Sequence, residues 1–220
     1  VAFLMTYGLM IAGNLIGLGL TAGMGLLKGS PVQNTLLNMI TGGSLWLTSI
    51  FTVLCAPVFE EILFRKLICD KVIKYGEGCA VILSGLIFGL FHMNFNQFFY
   101  AFFLGCFFAF IYVKTGRLKY TILLHMLINF FGSVLGGILL TLDPASPNTA
   151  AISTVYSLCM FAMVIAGIIL LIVKRHAFVL KPGEIVIEKG QRFKTVILNA
   201  GMLLFCLILS AIMLVQAFLA

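Results

Sequence analysis

Charge is scarce in this chain. Asp, Glu, Lys and Arg make up 10% of its 220 residues, against about 25% in a soluble domain. With 62% hydrophobic residues and a mean hydropathy of +1.17, the composition excludes an ordinary water-soluble globule and points to a membrane protein. Acidic residues are the scarcer charge, 7 Asp and Glu against 14 Lys and Arg. The net charge of +7 raises nucleic acid as a partner, but the basic residues sit in clusters between apolar runs, as membrane topology requires. No nucleic-acid binding is expected. Cysteine motifs are missing too. Cys55, Cys69, Cys79, Cys106, Cys159 and Cys206 form no C-x-x-C pair and no zinc-like spacing. Most lie in apolar stretches, where a thiol behaves as a small hydrophobe, so neither a disulfide framework nor a metal site is read from them.

What the chain does have is long apolar runs, near 2–27, 36–60, 78–94, 97–113, 120–141, 152–173 and 195–219. About 20 residues are needed to cross a hydrocarbon core of roughly 30 Å, and the third run barely qualifies. The second continues as a charged helical extension to about Tyr75. The first has no basic flank and no clear cleavage site, so a membrane helix is expected there and not a signal peptide. The expected fold is all-α: a polytopic transmembrane helical bundle of about seven spans in the cell membrane. It forms a single membrane domain over 1–220, since a bundle of this size needs no second core.

Lys and Arg orient it. Segment 65–77 holds Arg65, Lys66, Lys71 and Lys74; 114–119 holds Lys114, Arg117 and Lys119; 174–194 holds Lys174, Arg175, Lys181, Lys189, Arg192 and Lys194. The opposite connections hold only Lys28. That alternation places the basic loops in the cytoplasm. In the longest, the 174–194 cytoplasmic loop, Pro182-Gly183 between β-prone stretches suggests a small hairpin. Glycines four apart in "GNLIG" (13–17), "GLTAG" (19–23), "GLIFG" (85–89) and "GSVLG" (132–136) suggest close helix packing.

An ionisable side chain inside a bilayer costs roughly 2.5–3.5 kcal/mol on insertion scales, which makes each one a functional candidate. The candidates are Glu60, Glu61, Arg65, His92 and His125, with Asn129 as a neutral companion. His125 and Asn129 are four apart and project from one helical face. Gly85, Phe88, Gly89 and His92 form a second stripe. Pro57 has no N–H for the carbonyl of Val53, so the helix is expected to kink or open there. Adjacent helical residues point about 100° apart, so Glu60 and Glu61 cannot share a role. Glu61 stands four residues before Arg65, the favourable order for an intrahelical ion pair, and is assigned mainly to holding and neutralising that arginine. Glu60 is left facing the bundle. Taken singly, each feature also reads as packing, capping or a solvated face: Asn94 and Asn96 as caps, Lys66, Asp70, Lys71 and Lys74 as an interfacial face, His176 as exposed.

Together the residues carry a signature. "EEILFR" (60–65) matches E-E-x-x-x-R, "FGLFH" (88–92) matches F-x-x-x-H and "HMLIN" (125–129) matches H-x-x-x-N. Over residues 44–135, the catalytic core motifs, the chain resembles the CAAX-protease and bacteriocin-processing (CPBP, or Abi) family of intramembrane endopeptidases. The resemblance implies an all-helical membrane hydrolase in which Glu60 and His92 activate water, and His125 and Asn129 stabilise the oxyanion. Glu61 and Arg65 support them. The residues themselves agree: amide hydrolysis needs a base for water, donors for the oxyanion and an acid for the leaving amine. No Ser or Cys shows an evident base partner, so an acyl-enzyme is disfavoured.

No metal ligand set is assigned. Glu60, His92 and His125 have the right donors for zinc, but there is no H-E-x-x-H motif and Asn129 is a poor fourth ligand. A cofactor-free site is expected, with zinc as the alternative. The expected partners are the lipid bilayer and a peptide or membrane-protein substrate, in a prokaryote a bacteriocin or signalling peptide sooner than a prenylated tail. The rival readings are a non-proteolytic regulatory or bacteriocin self-immunity protein on the same scaffold, and a transporter with buried Glu and His as a proton relay.

Overall fold

In hydrocarbon a backbone must satisfy its own N–H and C=O groups, and a run of Leu, Ile, Phe and Gly does so as a helix. The computed structural model, which describes all residues except 35–37, 39–41, 43, 186, 189, 197 and 220, is accordingly built of helices, with no strand among the described residues. In chain order these are α1 (Ala2–Lys28), α2 (Leu45–Tyr75), α3 (Glu77–Phe91), α4 (Phe95–Thr115), α5 (Leu118–Leu140), α6 (Pro147–Val173), α7 (Gln191–Val196) and α8 (Ala200–Leu219). Most of the expected beginning of the second run, near 36, lies outside the described residues.

Among the described residues six helices, α1, α2, α4, α5, α6 and α8, are long and apolar enough to cross a membrane. The seventh expected span falls short. α3 has 15 residues, about 22 Å at 1.5 Å per residue, because the turn after it comes early. Asn94 caps α4, its side chain accepting from the Gln97 amide at 2.9 Å, and Met93 takes a left-handed φ of 55°. Asn94 thus caps as expected. Asn96 does not: its buried amide donates to the Gln33 carbonyl at 3.2 Å and its oxygen accepts from Thr21.

α3 and α4 form an antiparallel pair whose backbones nearly touch. A Cβ on Gly105 would sit 2.8 Å from the Gly85 Cα, so only glycine permits the contact. Gly13 similarly lets α1 close on α4 at Tyr100. Gly19, Gly23 and Gly136 face open space, so "GLTAG" and the second glycine of "GSVLG" are not packing contacts. Met5, Tyr7, Leu104, Phe107, Phe108, Leu124 and Ile128 fill the core between α1, α4 and α5. α6 and α8 lie outermost and expose Val155, Leu158, Leu204 and Leu207, as a lipid-facing surface does.

The three basic connections meet at one end of the bundle. Glu77, at the start of α3, forms an ion pair with Lys114 at the end of α4, and its Oε2 accepts from the Lys181 amide at 2.7 Å. The expected hairpin around Pro182-Gly183 does not form. The segment instead lies across the α2–α3 turn, with the Glu77 amide donating to the Lys181 carbonyl at 3.1 Å and the Ile185 amide to the Lys74 carbonyl at 2.9 Å. Gly183 is pressed against that turn, where a Cβ would fall 2.3 Å from the Gly76 nitrogen.

Partial burial pushes the Glu77 carboxyl up, but the hydrogen bonds from Lys114 and the Lys181 amide outweigh it and hold it below its ordinary 4.5. A group with a depressed folded value contributes its stability above 4.5 and loses it as pH falls through that lower value. Hydrogen exchange should therefore find the Lys181 and Ile185 amides protected at pH 7. Glu77→Ala should expose both roughly tenfold. Unchanged protection would show that the strap is held elsewhere.

Candidate active site

α2 is not a regular α-helix where the motif begins. Residues Ile50–Cys55 are π-helical, and the Ala56 amide reaches five residues back to the Phe51 carbonyl. In that register the carbonyl Pro57 fails to satisfy is that of Thr52, not of Val53 as the α-helical reading expects. The Asn129 amide takes its place, donating to the Thr52 carbonyl at 2.7 Å. One hydrogen bond therefore ties the third motif to the opening beside the first. Two more π-helical stretches, Ile62–Cys69 and Phe130–Val134, follow Glu61 and Asn129 directly. Such bulges re-aim side chains without ending a helix.

Glu60 and Glu61 point apart, as their adjacency requires. Glu61 and Arg65 are both fully buried, with Glu61 Oε2 3.0 Å from Arg65 Nε. Neither atom meets hydrogen-bond geometry, so the attraction is chiefly electrostatic. The guanidinium is cushioned by aromatic faces, 4.5 Å from the Phe88 ring centre and 5.4 Å from that of Phe108. Its Nη1 has no hydrogen-bond partner among the described residues. The other oxygen of Glu61 does what the ion-pair reading misses: Oε1 lies 2.9 Å from His125 Nδ1. A carboxylate only accepts, so Nδ1 carries the proton and Nε2 is turned to the opposite side. There it lies 3.7 Å from Glu60 Oε2. Glu61 thus neutralises Arg65 and orients His125 at once.

His92 follows the last turn of α3, and its Nδ1 lies 2.8 Å from the Phe88 carbonyl. A carbonyl fixes the tautomer in the same way and leaves Nε2 free to accept. The Phe88 ring stands edge-on between the two imidazoles, 4.9 Å from His92 and 5.7 Å from His125. Glu60, His92, His125 and Asn129 all line one cavity of about 290 Å³. Glu61 and Arg65, both fully buried, support His125 from behind the cavity and are not part of its lining. Among the described residues no group of three or more His, Cys, Asp or Glu is arranged to hold a metal ion.

Two residues of the cavity escape the motif reading. Gln97 Nε2 donates to the Tyr100 hydroxyl at 2.7 Å, while Asn94 Nδ2 donates to Gln97 Oε1 and to the His92 carbonyl, each at 2.7 Å. This chain of bonds fixes Tyr100 on the cavity wall. The signal was available in Asn94-x-x-Gln97, a capping-box pattern, with Tyr100 one further turn along.

Residues 42–131, which contain all three motifs, match the family described as type II CAAX prenyl endopeptidase Rce1-like. The resemblance to the CPBP family read from the motifs therefore holds over this segment. The chain is also similar to a putative membrane peptidase, YdiL, of Bacillus subtilis (strain 168), 32% identical over 37% of this chain and 34% of the relative. The membrane-embedded CAAX protease MroQ of Staphylococcus aureus (strain USA300) is 34% identical over 37% of this chain and 36% of the relative. The chain thus spans about a third of the length of these curated relatives. No solved structure gives a significant match. The matched segment runs from just before α2 into α5, so it contains every residue that lines the cavity except Ser133, which follows it on α5.

Proposed function

We propose that the chain is an intramembrane endopeptidase that hydrolyses a peptide bond of a membrane-associated peptide or protein by direct attack of water. The observation that carries this reading is the cavity shared by Glu60, His92, His125 and Asn129. Glu60 takes a proton from water while His92 Nε2 orients it, and the hydroxide adds to the scissile carbonyl. The oxyanion forms beside the imidazolium form of His125, which carries a proton on Nε2 as well as on the Nδ1 held by Glu61, and beside the second amide hydrogen of Asn129, whose first is committed to Thr52. The C–N bond then breaks as Glu60 returns its proton to the leaving amine, giving one carboxylate and one amine. The basic end of the bundle, around Glu77, Lys114 and Lys181, faces the cytoplasm.

The test is incubation of the purified protein in proteoliposomes with candidate membrane peptides, read by mass spectrometry of the termini. New termini at a defined bond support the reading; peptide that accumulates uncut inside the vesicles favours a carrier. The chemistry assigned to these side chains also predicts full activity after dialysis against a strong chelator. Activity lost there and restored by zinc would make Glu60, His92 and His125 ligands instead of water-activating and oxyanion-binding groups.

A further inference from the structure

A second chamber of about 440 Å³ lies between α1, α5 and α6, within the roughly 300–1,000 Å³ common for small-ligand sites. It shares Tyr100, Asn129 and Ser133 with the catalytic cavity, so the two spaces adjoin at these side chains. Its wall is unusual for a membrane interior. Asn14, Ser133, Tyr156 and Ser157 face it, yet among the described residues no carboxylate or ammonium does. The Tyr156 hydroxyl is committed to the Phe131 carbonyl at 3.1 Å. The Asn14 amide and the hydroxyls of Ser133 and Ser157 have no hydrogen-bond partner among the described residues. A polar side chain without a partner in a membrane span is costly. Nothing in the catalytic arrangement uses Asn14, and its neighbour Gly13 already accounts for the α1–α4 contact.

We propose that this chamber is a substrate subsite. It takes uncharged, hydrogen-bonding side chains on one side of the scissile bond and rejects carboxylates and ammonium groups, for which it offers no counter-charge. Asn14, Ser133 and Ser157 supply the donors and acceptors, and Tyr100 stands where the subsite meets the reacting carbonyl. The inference rests on the endopeptidase reading of the adjoining cavity.

The experiment uses membrane peptides varied one residue at a time. Their binding to the full-length Glu60→Gln protein in nanodiscs is measured by fluorescence, and their cleavage by the wild type is measured in parallel. At one position, Asn or Gln should bind about tenfold better than Glu or Lys. Ser157→Phe, which crowds the chamber, should abolish that preference. Asn14→Leu should remove the preference without filling the space. A preference unchanged in both variants, or equal weakening of every peptide, overturns the subsite. Selective binding without cleavage retains the subsite and sinks the endopeptidase reading. Cleavage without selection does the reverse, and neither binding nor cleavage removes both.

Discussion

Glu60→Gln should lower peptide hydrolysis by about 10²–10⁴-fold, the usual contribution of a positioned acid–base group, and leave the protein folded. The two halves of this expectation have different physical origins. Gln has the shape of Glu but cannot take a proton from water or deliver one to the leaving amine. Glu60 is also the partly exposed member of the pair, its side chain 23% accessible at the cavity. Its replacement strands no buried charge, since His125 keeps its 2.9 Å contact with Glu61. The change in stability should stay within roughly 0.5 kcal/mol, as for substitutions away from buried networks. Paired measurements of turnover and of the unfolding midpoint decide it. A folded Glu60→Gln protein that performs its cellular role unchanged would favour the regulatory or self-immunity reading.

Glu61→Gln should do the opposite and damage the fold first. It leaves the Arg65 guanidinium fully buried among Phe64, Phe88 and Phe108 with no counter-charge, and breaking one side of a buried pair costs about 3–5 kcal/mol. Removing both charges as Glu61→Leu with Arg65→Met should recover most of that stability, because apolar replacements of similar volume spare both desolvation penalties. Activity should not return with it. His125 would have lost the carboxylate that holds Nδ1–H, so its Nε2 is no longer aimed at the cavity, and hydrolysis should remain about 10²-fold down. Unfolding in graded SDS alongside turnover separates the two effects. If the double variant is as active as the wild type, Glu61 is only the partner of Arg65.

The helical class was legible in run length and composition alone, and the inward faces of α3 and α5 in the spacing of Phe88 and His92, and of His125 and Asn129. Local chemistry read without its tertiary partners set the limit. The 78–94 run was counted as a span because nothing in its hydropathy shows that α3 stops at Phe91, before the Asn94 that caps α4. Pro57 did announce an irregular helix, but which carbonyl it strands depends on a π-helical register, and that register is coupled to the Asn129 amide on another helix. Glu61 was read through one oxygen because spacing reports only intrahelical neighbours. Its second partner, His125, is 64 residues away. Pro182-Gly183 looked like a hairpin turn for the same reason: the contact that decides its conformation is with Gly76.

The most direct measurement is cleavage of a membrane peptide in 18O-labelled water with hydroxylamine present, analysed by mass spectrometry. Direct attack by water at the Glu60–His92 cavity predicts one 18O atom in the new carboxyl terminus, no hydroxamate, and at least about 10²-fold slower formation of the labelled product by Glu60→Gln. A hydroxamate at the cut site would reveal an acyl-enzyme, and the same labelled product formed by Glu60→Gln at the wild-type rate would place the water elsewhere; either would contradict the account.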